Sequence, residues 1–298
     1  MAQLKVIVNK LNKRKSIPTN FSDENIVGVV KKGYLFEGNE VKENANFSLG
    51  KWYVDRDGYY YWAGGLLVFD IPLGVSVNIK NLPLNLPFPY RAGIDISHHN
   101  SLPDWTAIKN SGISFVFIKL SEGVGTPDAK AGEYALKAKQ KSLRIGYYHF
   151  CRPDTKNGKN IEEDATAEAD EALKLMAVIT KPDLPLVLDL EDQKSWDTSL
   201  KPDDYLKWIN TFIQRISEKS AGTCMIYSRK NYLDEHLPAH HDLGKIKLWI
   251  SRYILTDYTE VKTPVGWNEW AIWQYCEDGI IGDNSKLDIN ILKDQNLF

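Results

Sequence analysis

From Tyr90 onward the chain repeats one rhythm: a short apolar run, a polar break, then a segment with helical spacing. "RAGIDIS" precedes "DWTAIKNSG", which Asp104 is placed to cap, and "ISFVFIKLSEG" precedes "DAKAGEYALKAKQKSL". "RIGYYHF" precedes "NIEEDATAEADEALKLMAVI", whose first turns are acidic, as a helix dipole favours. "LPLVLDLE" precedes "PDDYLKWINTFIQRISEKS", with Pro202 near its start, and "TCMIYS" is a fifth strand. Beyond it the helical signals fade, and "KLWISRY", "EWAIWQY" and "LDINIL" read as three more strands. Near-continuous apolar strands separated by helices specify a parallel sheet covered on its outer face. Eight of them specify closure into a barrel with fewer than eight full helices.

Residues 1–78 follow a different pattern of short strands and turn signals, with no convincing helix. "LKVIVNK" is one strand, "IVGVVKKGYLFEG" holds one or two, and "KWYVDRDGYYYWAGGLLVF" is a hairpin turning at Asp57-Gly58. A small all-β barrel of five or six strands fits this stretch. Residues 79–90 carry Pro83, Pro87 and Pro89, which favour a semi-rigid extended linker, so the second domain is expected over 91–298.

The apolar strands of that second domain repeatedly end in polar groups: Asp95, Ser121-Glu122, His149, Asp189 with Glu191, Trp273-Gln274 and Asp288. In a parallel barrel the strand C-termini open on one face, where such folds keep their chemistry. Strand residues alternate faces, so Asp189 and Glu191 point the same way, advanced by roughly 6.6 Å. Carboxyl pairs on that scale suit glycoside hydrolysis, in which one acid protonates the leaving oxygen and the other acts at the anomeric side. Each residue also has an ordinary reading: a strand end in solvent for Asp189 and Glu191, a cap for Asp95, a satisfied core histidine for His149, a turn for Asp288. The force of the pattern lies in four acids at strand ends of one barrel. His98-His99 and His240-His241 are not read as metal ligands, because strand neighbours face opposite ways and no HExxH is present.

Composition excludes more than it selects. A formal net charge of −2 gives no argument for nucleic acid or anionic lipid, and no stretch reaches the ~20 apolar residues of a membrane span. Nine Trp and fifteen Tyr are compatible with sugar-binding surfaces and with large cores alike. Three scattered cysteines (Cys151, Cys224, Cys276) form no CxxC pair and fit buried free thiols from a reducing compartment. "MAQLKVIVNKLNKRKS" has too short an apolar run for a secretory signal.

Taken in order, "GIDISHHN", "FVFIKLSEG", "GYYHF", "PLVLDLE", "LWISRY", "WQY" and "LDIN" resemble glycoside hydrolase family 25, the Chalaropsis-type lysozymes, over essentially all of residues 90–298. The resemblance implies an irregular TIM-like (β/α)5(β)3 barrel, here preceded by the small all-β domain. It implies an N-acetylmuramidase that cleaves the β-1,4 bond between N-acetylmuramic acid and N-acetylglucosamine in peptidoglycan, without a cofactor or metal. It assigns Glu191 as general acid, Asp189 as the assisting carboxylate, and Asp95 and Asp288 as outer acids. It sets Tyr147, His149, Trp273 and Gln274 along the sugar cleft. Departures are small: "LSEG" stands for the family's frequent "ATEG", "DLE" for "DVE", and Asn100 for glutamine.

Residues 1–78 more loosely resemble a bacterial Src-homology-3-like domain, which implies cell-wall binding; a stabilising appendage without wall affinity is the other reading. The expected partner is peptidoglycan, with no nucleic acid, no membrane insertion, and a monomeric chain. Synthesis in the cytoplasm without a signal peptide would be followed by action on the wall or periplasm after lysis or dedicated delivery, as for a phage endolysin or an injected toxin. The competing functions are a catalytically silent wall-binding protein on the same scaffold and a chitinase-type hydrolase, whose longer DxxDxDxE run is absent.

Overall fold

The structure, a computed structural model, describes residues 2–20, 24–42, 50–69, 90–101, 103–192, 200–220, 222–253, 258–282, 284–293 and 297. They divide into two compact units, one from the N-terminal strands and one from Arg91 onward. The expected linker with Pro83, Pro87 and Pro89 lies outside the described residues.

The N-terminal unit is an antiparallel sheet of seven strands: β1 (Ala2–Val6), β2 (Lys10–Arg14), β3 (Ile26–Lys31), β4 (Leu35–Glu40), β5 (Trp52–Asp55), β6 (Tyr60–Trp62) and β7 (Leu66–Phe69). Their order is β3-β2-β6-β5-β4-β1-β7. Against the expected five or six, the additional strand is the highly charged β2, which buries only Leu11 and Arg14. The Asp57-Gly58 hairpin forms, with Gly58 at φ +82°. Asp55 fixes it by accepting from Asp57 N (3.0 Å), Tyr59 N (2.8 Å) and the Tyr61 hydroxyl (2.9 Å). Leu4, Val6, Leu11, Tyr53, Tyr61 and Leu66 make its core.

The second unit begins with β8 (Arg91–Ile96), α1 (Trp105–Asn110), β9 (Ile113–Glu122) and the two-residue β10 (Thr126–Pro127). It continues through α2 (Ala131–Gln140), β11 (Arg144–Phe150), α3 (Ile161–Val178), β12 (Leu186–Asp189) and α4 (Pro202–Ser220). β13 (Cys224–Ser228), α5 (Lys230–His236), β14 (Lys247–Ser251), β15 (Ile272–Ile281) and β16 (Asn284–Leu292) complete it. Eight strands run in the order β9-β11-β12-β13-β14-β15-β16-β8, and β8 pairs back with β9 to close the barrel. The pattern is (β/α)5(β)3, as expected. Two features were not legible in the sequence: the short helix α5, and the direction of β16, which is antiparallel to both β15 and β8.

Local chemistry explains the elements. Asp104 caps α1, accepting from Thr106 N (2.9 Å) and Ala107 N (3.0 Å). Asn160 caps α3 through Glu163 N (2.9 Å). α4 buries Tyr205, Trp208, Ile209, Phe212 and Ile216, a helical stripe. α3, which packs on α4, buries the small Ala165, Ala169 and Ala172. Inside the barrel, Phe115, Phe117, Val187, Met225, Trp249 and Ile272 belong to one buried cluster. Gly93 and Gly146 make room for it, since a Cβ on either would stand 2.2 Å from the ring of Phe115 or Phe117. The three cysteines are buried and form no disulfide. No described helix is long and apolar enough to cross a membrane.

Candidate active site

The apolar fill of the barrel stops where the strand alternation reaches its last inward positions, and there the side chains turn acidic. Asp95 from β8, Asp189 from the end of β12, Glu191 two residues on, and Asp288 from β16 line one cavity of about 190 Å³. Tyr148, Tyr227, Trp249, Tyr253 and Gln274 complete its wall. β16 runs backwards, and Asp288, at the middle of its strand, stands directly opposite Asp95 in the register. A larger cavity, about 920 Å³, lies at the opposite end of β12, against Leu184, Pro185 and Leu186. Its two acids are engaged by cations there: Asp170 by Arg215 (2.7 Å) and Asp183 by Lys139 (2.5 Å).

Two hydrogen-bond relays converge on Asp95. The hydroxyls of Tyr227 (2.8 Å) and Tyr253 (2.7 Å) both donate to Gln274 Oε1, which orients Nε2 to donate to Asp95 Oδ2 (2.9 Å). Trp249 Nε1 donates to Asn290 Oδ1 (2.8 Å), which turns Asn290 Nδ2 onto the same Oδ2 (2.7 Å). Burial pushes the Asp95 carboxyl up to about 6, and these two amides hold it from rising further. Asp288, without such amide donors among the described residues, is pushed up to about 9, by burial first and then by the charges of Asp95, Glu277 and Glu191.

Asp189 and Glu191 are both raised, chiefly by burial. Asp189, the deeper, is also raised by its neighbour Glu191 and relieved by Lys119; its Oδ1 is buried without a hydrogen-bond partner. Glu191, partly exposed, is relieved by Arg229 and then raised by Asp95. Burial and mutual repulsion thus both favour the protonated form of this carboxyl pair. Lys119 is itself buried and pairs with Glu122 (2.6 Å), which Arg152 also binds. Asp192 lies outside the alternation: its side chain is 70% exposed and pairs with Arg229.

Of the residues singled out in sequence, the structure therefore brings together Asp95, Asp189, Glu191, Asp288 and Gln274. It sets Tyr147, His149 and Trp273 elsewhere. Tyr147 and His149 face the helices, because Tyr148 takes the inward position between them. The Tyr147 hydroxyl donates to Thr180 O (2.6 Å), and buried His149 joins Ser121 Oγ (2.9 Å) to Glu168 Oε2 (2.8 Å). Trp273 is buried, with Nε1 donating to Arg252 O (2.8 Å). The inward tryptophan is Trp249, from the preceding strand. Tyr148, Tyr227, Trp249, Tyr253 and Asn290 were not singled out, and only strand phase would have found them.

Among the described residues, one group has metal-ligand proximity: His149, Cys151 and Glu168, with donor atoms within 4.8 Å. His149 Nε2 and Glu168 Oε2 are already in direct hydrogen-bond contact, and burial holds the Cys151 thiol well above its usual range. That chemistry describes a structural lock behind the barrel wall, not a metal site. His241 packs on Trp267, and its Nδ1 accepts from Leu243 N (3.3 Å).

Residues 94–284 match glycosyl hydrolases family 25. Lysozyme M1 of Streptomyces globisporus is 27% identical over 195 residues, 64% of this chain and 63% of that protein. The N,O-diacetylmuramidase of Arthroderma benhamiae is 28% identical over 205 residues, 65% of this chain and 80% of that protein. The crystal structure of the bacterial lysozyme from Streptomyces coelicolor superposes with a TM-score of 0.59 at 26% identity, covering 68% of this chain and 92% of that one.

Proposed function

Because this chain belongs to glycosyl hydrolases family 25, we propose that its barrel hydrolyses the glycan strands of peptidoglycan, cutting the β-1,4 bond from N-acetylmuramic acid to N-acetylglucosamine. The observation that carries this reading is the acid-lined cavity, in which burial raises the proton affinity of Glu191 above that of an ordinary carboxyl. Glu191, on the partly exposed side, gives its proton to the glycosidic oxygen as the bond lengthens. Asp189 faces the same cavity from one strand step deeper, and its unpartnered Oδ1 is free to stabilise the developing positive charge at the anomeric carbon or the acetamido group that assists there. Asp95, anchored by Gln274 and Asn290, and Asp288 shape the field around that charge. Water then adds to the anomeric carbon and returns a proton to Glu191.

The test is mass spectrometry of the muropeptides released from purified walls by wild type and Glu191→Gln. Products ending in reducing N-acetylmuramic acid, lost in the variant, are expected. Equal digestion by both proteins would sink the acid assignment, and N-acetylglucosamine reducing ends would sink the bond.

The N-terminal unit, residues 1–78, is proposed to hold the enzyme on its insoluble substrate. Its exposed Tyr34 (46%) and Trp62 (36%) support this reading. Tyr34→Ala with Trp62→Ala should lower co-sedimentation with walls while leaving cleavage of soluble glycans unchanged; undiminished sedimentation refutes it.

A further inference from the structure

At the same end of the barrel as the acids stands a second constellation, His98, His99 and Asp128, in which the site described above has no part. The turn after β8 is tied on two sides. Asn100 Oδ1 accepts from Ser97 N (2.8 Å), and its Nδ2 donates to Lys286 O (3.3 Å), two residues from Asp288 on β16. Asp128 N donates to Leu120 O (2.9 Å), next to Lys119 on β9. The turn therefore rises from the strands that supply Asp95, Asp288 and Lys119. After burial, the charges of Asp95, Asp189, Asp288 and Asp128 together hold the Tyr148 hydroxyl high, so Asp128 shares the field of the cavity.

The side chain of Asp128 is fully buried, and it is fixed by three donors. Lys130 N reaches Oδ1 (2.8 Å), while His98 N (3.0 Å) and His98 Nδ1 (2.7 Å) reach Oδ2. A carboxylate that already accepts backbone N–H groups takes the ring proton at Nδ1, which leaves Nε2 as the free edge of the imidazole. The His98 side chain is 42% exposed, and its ring lies 3.9 Å from that of His99. Exposed side chains ordinarily keep their rotamer freedom; this one is immobilised in advance, which lowers the entropy cost of binding.

We infer that His98, locked by Asp128 and backed by His99, is a rim subsite whose Nε2 hydrogen-bonds a hydroxyl or acetamido group of an amino sugar one or more units beyond the scissile bond. The inference rests on the glycan reading above. A cavity of about 190 Å³ holds little more than one sugar ring, so a strand must also be gripped along the rim.

The experiment titrates soluble alternating N-acetylglucosamine and N-acetylmuramic acid oligosaccharides into full-length Glu191→Gln protein. Binding is followed by calorimetry and by ¹⁵N resonances of labelled histidines. The tetrasaccharide should shift the His98 Nε2 resonance saturably. His98→Phe, which keeps a ring and removes Nε2, should bind it about five- to tenfold more weakly, the worth of one hydrogen bond. The disaccharide should bind both proteins equally. Tetrasaccharide binding with a silent His98 resonance, or within twofold in His98→Phe, overturns the subsite alone. Residual hydrolysis by Glu191→Gln with a responding His98 strikes the acid assignment and leaves the subsite standing. No binding of either sugar to either protein removes the glycan reading and the subsite with it.

Discussion

Asp95 and Asp288 stand directly opposite each other across the antiparallel pairing of β8 and β16, yet only Asp95 is anchored by amide donors, both on its Oδ2. Two carboxyls in register thus differ in proton affinity. Asp95 is held near 6, where it ionises below neutrality, while Asp288 at about 9 keeps its proton there. Removing the Asn290 donor tests this division. Asn290→Ala should raise Asp95 further and move the acidic limb of the kcat/KM pH profile up by about one unit. An unmoved limb would mean that Asp95 does not govern it.

Asp288→Asn should exchange activity for stability. An unfolded aspartate titrates near 3.9, so with the folded group raised to about 9 the native state binds the extra proton between those values. The stabilisation from that proton is complete below about pH 4 and is lost as pH rises toward 9. The neutral amide has no such loss. Urea denaturation should find the variant equal to wild type at pH 4 and more stable by on the order of 2 kcal/mol at pH 8. A gain of the same size at pH 4 would refute the titration argument.

Tyr147 and Tyr148 are neighbours with opposite duties. Tyr147→Phe loses one hydrogen bond to Thr180 O on the helix side and should leave kcat/KM within twofold of wild type, with a stability cost of about 1 kcal/mol. Tyr148→Ala removes part of the cavity wall and should lower kcat/KM by about tenfold or more. The reverse ranking in steady-state kinetics would mean that the cleft is lined with the other strand phase.

His149→Ala should unfold the protein at lower urea without a specific defect in chemistry. It removes the ring that joins Ser121 to the fully buried Glu168, leaving the Arg152 N–H (3.0 Å) on Glu168 Oε2; losing a buried hydrogen-bond partner costs about 1–3 kcal/mol. Unaltered stability would show that the Arg152 N–H alone satisfies Glu168.

Gly146→Ala should be as damaging as a large core deletion. Its Cβ would stand 2.2 Å from the Phe117 ring, and overpacking of this kind costs about 1–3 kcal/mol or more. Adding Phe117→Leu should recover part of the lost Tm, whereas no recovery would assign the cost to the backbone.

The barrel was legible because each strand was long in apolar residues and each helix carried a periodic face, as with Tyr205, Trp208 and Phe212 on α4. The four acids were legible because they interrupt those strands. α5 was missed because seven residues give less than two turns of periodicity. The direction of β16 was hidden because "LDINIL" alternates identically whichever way it runs. The phase of "GYYHF" was hidden too: two adjacent tyrosines fit either face, and Gly146 settles it by tucking beneath Phe117 so that Tyr148 faces inward. His98 was set aside as a poor metal ligand, and a pattern in one dimension held no sign of Asp128, which reaches it across 30 residues.

The reversed last strand also bears on how the molecule is made. The anchor of Asp95 comes from Asn290, 195 residues later in the chain, and the wall between β8 and β15 is missing until β16 enters. Contacts of such sequence separation form late in folding. A chain that has not yet supplied β16 therefore carries an incomplete site. The acid-lined cavity is thus complete only once the closing strand has been added, and its assembly reports on closure of the barrel.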